Sequence, residues 1–129
     1  MWKQKPSKAW TGLLYENSAN ENWLQLLEET KLKIFISPWH ERDLKEDGTY
    51  KKKHRHVVAI WEEEIEYEQA KSILEKSGVV LHYYGVYTLT GVVRYLTHKD
   101  NPDKEQYNDE EVICLNGADY KETIKGTSE

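Results

Sequence analysis

The chain has 129 residues and a net charge of −5, with 38% hydrophobic residues, 32% charged residues, 7 Gly and 3 Pro. This composition suits one globular domain with a real core and excludes a disordered or low-complexity chain. No apolar run approaches the roughly 20 residues of a membrane span, and MWKQKPSKAW has no signal-peptide core. A single domain over residues 1–129, cytoplasmic and without membrane contact, is therefore expected. The single cysteine, Cys114 in VICLNG, reads as a packed thiol in a reducing compartment.

In chain order, Lys8 to Tyr15 (KAWTGLLY) reads as a strand that stops at ENSANEN. NWLQLLEET places Trp23, Leu26 and Leu27 on one helical face, with Asn20 or Asn22 as cap. KLKIFISPW alternates, so Leu32, Ile34 and Ile36 share one side of a strand, which Pro38 ends. A polar loop with Asp47-Gly48 leads into KKKHRHVVAIW, the second arm of a hairpin. YEQAKSILEKSG reads as a helix with Gly78 as its C-cap. VVLHYYGVY reads as a strand, and TLTGVVRYLTHKDNP as a helix stopped by Pro102. The tail holds one apolar segment, Val112 to Leu115, as a short helix or strand. The order β-α-β-β-α-β-α is close to a split βαβ arrangement, an α+β fold with an antiparallel sheet covered by helices.

Charge is uneven: residues 1–60 sum to +3 and residues 61–129 to −8. The basic residues gather at Lys3, Lys5 and Lys8 and at Lys51, Lys52, Lys53 and Arg55. A local basic patch can engage phosphates despite an acidic total, while a merely solvated loop is the plain alternative.

The second arm of the hairpin carries the chemistry. Side chains alternate along a strand, so His54 and His56 point one way and Arg55 the other. The hairpin brings His40 and Asp43, at the end of the first arm, beside them. Three imidazoles and a carboxylate suit a divalent ion such as Mn²⁺ or Zn²⁺; satisfied structural histidines are the competing reading. A divalent ion beside lysines suits a phosphate substrate. Among nine tyrosines, Tyr83, Tyr84 and Tyr87 are explained by packing. Tyr95, with Gly91 one turn before it and His98 and Lys99 after it, is one candidate nucleophile. A half-buried helix aromatic is the alternative. Lys99, at i+4, would steady a phosphate. His82 and His98 stay outside the ligand set.

The ordered strings SPWHERD, KKKHRHVVAIW and VRYLTHKDNP resemble the replication initiators of Gram-positive rolling-circle plasmids, within the HUH endonucleases. The likeness extends over nearly the whole chain. It implies a five-stranded antiparallel sheet of ferredoxin-like type with helices on both faces. It also implies His40, Asp43, His54 and His56 as ligands of Mn²⁺ or Mg²⁺, with Tyr95 as the nucleophile. On charge and spacing rather than on the resemblance, Lys51, Lys52, Lys53, Arg55 and Lys99 are expected to contact DNA phosphates. The implied function is origin binding and nicking of single-stranded DNA in a hairpin loop, leaving a 5′-phosphotyrosine and a 3′-OH primer, with strand transfer at termination. Host polymerase and helicase are the implied partners. The family's C-terminal oligomerisation region is not matched by any segment, which leaves oligomeric state open. Two other readings share these residues: a non-catalytic DNA-binding repressor or origin-marking module, and a metal-dependent hydrolase that uses water.

Overall fold

Two long apolar alternations build the middle of the sheet: β1 (Ser7–Tyr15) and β3 (His54–Ile65) pair antiparallel, with Trp10 opposite Ala59 and Tyr15 opposite His54. The computed structural model describes residues 5–83, 86 and 88–125. β2 (Lys33–Ile36) lies on the other side of β3, with Ile36 opposite Val57. β4 (Val80–Leu81) flanks β1, and β5 (Ile113–Leu115) flanks β2. The sheet order is β4-β1-β3-β2-β5, and every pair is antiparallel.

The helices are α1 (Trp23–Glu29), α2 (Tyr67–Leu74), α3 (Leu89–Tyr95) and α4 (Tyr120–Ile124). β1 and β2 straddle β3, while β3 and β4 straddle β1, so α1 and α2 are the crossovers of two interlocked split βαβ units. Crossovers of one hand put both helices on the same face. There Trp10, Leu14, Ile34, Ile36, Val57 and Ala59 pack against Leu27 of α1 and against Ala70 and Leu74 of α2. The other face is left for the C-terminal elements, where Phe35 and Val58 pack under Val93 and Leu96 and against Tyr120 of α4. The five-stranded α+β sheet with helices on both faces is thus as expected. β3 is apolar on both faces because both are covered. It emerges from the core as the exposed run Glu62, Glu63 and Glu64.

Two elements and one side chain differ from the sequence expectations. Among the described residues, the strand expected in VVLHYYGVY covers Val80–Leu81; Tyr84 and Tyr87 lie outside the described residues, as does Lys3. The helix expected up to Pro102 ends at Tyr95. The chain turns there because His98 takes a left-handed conformation (φ 62°), stabilised by Gln106 Nε2 donating to its carbonyl at 2.9 Å. Thus the i+3 and i+4 spacing of His98 and Lys99 is not helical. Cys114 is exposed on the edge strand β5 rather than packed, because alternation turns its neighbour Leu115 inward. Gly78 sits at φ 103° after the short 3-10 turn that follows α2, as its C-cap role requires. The apolar tail segment is the strand β5. No helix among the described residues is long and apolar enough to cross a membrane.

Phe35 is 1% exposed and forms the floor beneath α3. Phe35→Ala should therefore cost about 3–5 kcal/mol of folding stability, read as a shift in the urea midpoint with little change in the slope.

Candidate functional site

Past β2, Pro38 interrupts the ladder, and the chain rejoins β3 at one isolated bridge, His40 to His54. His40 N–H donates to the His54 carbonyl at 2.6 Å, and His54 N–H to the His40 carbonyl at 3.3 Å. Ser37 helps to hold this junction: its Oγ accepts from His56 N–H at 2.8 Å. The result is a knot of rings on the α3 face. His40 lies 5.3 Å from His54 and 4.7 Å from His56, centroid to centroid, and His54 lies 5.1 Å from His56.

Hydrogen bonds decide where the lone pairs point. His54 Nδ1 lies 2.6 Å from the Lys52 carbonyl, so that nitrogen carries the proton and Nε2 is bare in the neutral ring. His40 Nε2 likewise donates to the Leu96 carbonyl at 2.8 Å, and its Nδ1 faces Asp43 Oδ2 at 3.1 Å. His54 Nε2 approaches the same Asp43 oxygen at 3.6 Å. Lone pairs crowded against a carboxylate repel one another unless a proton or a metal cation lies between them. Nitrogen atoms of His40, His54 and His56 fall within 4.8 Å of one another, and so do donor atoms of His40, Asp43 and His98. By donor chemistry and spacing, the three imidazoles His40, His54 and His56, with the Asp43 carboxylate close to His40 and His54, fit a divalent ion.

The field of the site supports ligation. Burial alone would raise the Asp43 pKa, but the close contact with His40, the hydrogen bond from Tyr107 and the nearby imidazoles outweigh it, holding the carboxyl well below the usual range. Burial, followed by mutual repulsion within the cluster, pushes the His56 pKa well below an ordinary histidine, and burial lowers His54 and His98 as well. These three rings are therefore neutral near pH 7, the form that binds metals.

The structure brings His40, Asp43, His54, His56 and Tyr95 together. Tyr95, the last residue of α3, presents its ring edge-on to His56 at 5.6 Å. A cleft of ≈ 390 Å³ opens beside it, lined among others by Asp43, Lys51, His98 and Lys104. The basic residues separate. Lys51 lines this cleft. Lys52 lies over the Tyr15 ring at 4.7 Å. Lys53 pairs with Glu16 and Glu41 at 3.2 and 3.6 Å. Arg55, on the opposite face, stacks over Trp39 at 4.4 Å and Trp23 at 5.3 Å and donates to the Ser37 carbonyl at 3.0 Å. Lys99 is not at the cleft; its ammonium pairs with Asp109.

Two residues join the cluster without having been expected there. His98 is buried, 4.8 Å from the rings of both His40 and Tyr95, with Nδ1 donating to the Glu105 carbonyl at 2.8 Å. Its left-handed turn, rather than helical spacing, brings it in. Tyr107 stacks flat on His40 at 4.1 Å and 8°, and its hydroxyl donates to Asp43 Oδ1 at 2.6 Å. Burial first, and then this hydrogen bond, raise its pKa far above an ordinary phenol, so it stays a protonated donor. Only the presence of His98 in the string around Tyr95 hinted at the first, and no local pattern marks the second.

Residues 2–121 match the family described as plasmid replication protein, origin binding domain. The chain is 35% identical over 126 residues to a replication protein of Staphylococcus aureus, covering 98% of this chain and 63% of that protein. It is 32% identical over 120 residues to the replication protein RepB of Lactiplantibacillus plantarum, covering 93% of this chain and 54% of that protein. The chain thus spans somewhat more than half the length of these relatives.

Asp109 ties the turn after α3 to α4, pairing with Lys99 and accepting from the Tyr120 hydroxyl at 3.2 Å. Burial opposes ionisation, but these partners prevail and lower its pKa. A depressed carboxylate pKa gives stability that is present above the unfolded value, about 3.9, and is lost as pH falls through the folded one. Asp109→Asn should lower Tm at pH 7, and the gap from the unmodified protein should close as the melt is repeated toward pH 2.

Proposed function

This chain belongs to the origin-binding domain family of plasmid replication proteins, and from that membership we propose that it nicks and rejoins single-stranded DNA at a plasmid origin. Tyr95 is the nucleophile. Its phenolic oxygen forms a new bond to the scissile phosphorus while the phosphorus–O3′ bond breaks. The released oxygen takes a proton and leaves as a 3′-OH, the phenolic proton passes to solvent, and the protein remains joined to the 5′ phosphate. In strand transfer a 3′-OH attacks that phosphotyrosine and Tyr95 departs. A host polymerase, with a helicase, would extend the free 3′ end in the cytoplasm.

His40, Asp43, His54 and His56 would hold the metal, Mn²⁺ or Mg²⁺. When bound there, such an ion supplies Lewis-acid polarisation of a phosphoryl oxygen and offsets the charge that builds during displacement. The protein's own part is to fix the donors. The Lys52 and Leu96 carbonyls set the tautomers of His54 and His40, and Tyr107 orients Asp43. The observation that carries this reading is that Tyr95 shares one cleft with Asp43 and lies edge-on to His56. A pure DNA-binding module needs neither the donor set nor the phenol beside it.

The test uses a labelled single-stranded oligonucleotide spanning the origin, with Mn²⁺. The protein should become covalently attached to one product, and Tyr95→Phe should lower adduct yield on the order of 10³-fold or more. Undiminished adduct with Tyr95→Phe removes that residue as nucleophile; cleavage without adduct favours hydrolysis by water. In a separate measurement, Mn²⁺ at about 100 times its Kd should stabilise the Tyr95→Phe protein by about 2.7 kcal/mol. The double variant His54→Ala, His56→Ala should show no such gain.

A further inference from the structure

The segment between β2 and β3 is a structured finger. Lys51 N–H donates to the Asp43 carbonyl at 2.7 Å, Lys45 N–H to the Thr49 carbonyl at 2.7 Å, and Gly48 N–H to the Lys45 carbonyl at 3.0 Å. Gly48 closes the tip at φ 88°, a conformation that favours glycine. The Asp47 carboxylate accepts from the Thr49 amide at 2.9 Å and from its hydroxyl at 2.6 Å. These bonds lie within the finger, and its base is the backbone of Asp43, so it is in fixed register with the imidazoles.

Leu44 and Tyr50 pair across the finger as an antiparallel bridge, which puts their side chains on one face. They are 57% and 64% exposed, so folding does not account for them. Leu44 also lines the cleft that holds Tyr95. Two further lining residues, Lys51 and Lys104, have no ion pair among the described residues, whereas Arg42 is paired with Glu105 at 3.3 Å. The finger thus offers an exposed aromatic paired with Leu44 at the rim of a cleft that carries free ammonium groups, and that combination is the chemistry that holds single strands: every base offers a π face, and every link a phosphate. A duplex has already stacked its bases and cannot offer them.

We propose that this finger clamps single-stranded DNA: a base near the scissile phosphate stacks on Tyr50 against Leu44, while Lys51 and Lys104 take flanking phosphates. The clamp draws the strand across the mouth of the cleft in front of Tyr95. This inference rests on the single-strand nicking reading above and names the contact that would orient that substrate.

The test measures fluorescence anisotropy of labelled dT16 at low salt, in the Tyr95→Phe protein so that nothing is cleaved. Tyr50→Ala in that background should weaken dT16 binding on the order of tenfold, Tyr50→Phe should retain it, and binding of a 16-base-pair duplex should be unmoved. Matched Tm values show that the exposed substitution leaves the fold intact. Unchanged dT16 affinity in Tyr50→Ala overturns the clamp, as does an equal loss for dT16 and duplex. If the parent ignores dT16 yet the Tyr95 protein still forms its Mn²⁺-dependent adduct, the clamp falls and the nicking reading stands. If there is neither binding nor adduct, both fall.

Discussion

His40 is the joint on which the rest depends. It is fully buried, and each part of it is committed to a different element. Its backbone rejoins β3, its Nδ1 meets Asp43, its Nε2–H holds the carbonyl that caps α3, and its ring face lies on Tyr107. One side chain therefore sets the spacing between the central strand, the finger and the helix that ends in Tyr95. A polar ring at zero exposure is tolerated because Nε2–H is paired with the Leu96 carbonyl, while a proton or a cation completes the contact between Nδ1 and Asp43.

The fold makes room for such a knot. Two interlocked crossovers use one face of the sheet for α1 and α2 and build the larger apolar core there. The opposite face needs only the short α3 and α4, and its apolar packing is smaller. Where that packing stops, His54 and His56 continue the inward-facing row of β3 in place of aliphatic residues. Desolvation keeps their rings neutral, so partial burial, a cost elsewhere, leaves nitrogen lone pairs ready for a cation.

Much of this was legible from local pattern. Alternation in KLKIFISPW and HRHVVAIW placed β2 and β3 antiparallel, and the hairpin alone predicted that His40 and Asp43 meet His54 and His56. What was not legible depended on distant backbone. Helical periodicity in TLTGVVRYLTH continued past Tyr95, but the carbonyls of Glu105 and His98 and the Gln106 amide impose a turn that no residue spacing encodes. Tyr107 reaches Asp43 from 64 residues away. Lys99 looked free on a helix and is instead occupied by Asp109. Arg55 was correctly placed on the far face by alternation, but the two tryptophans around it come from separate segments.

The left-handed backbone at His98 separates two things that usually travel together. A side chain at this φ costs about 1 kcal/mol that glycine avoids. The backbone there would accept glycine at lower cost, so the imidazole is held against conformational preference. Glycine at this one position would empty a corner of the ring cluster while relieving strain in the turn. The turn and the ring it carries into the cluster are therefore separable.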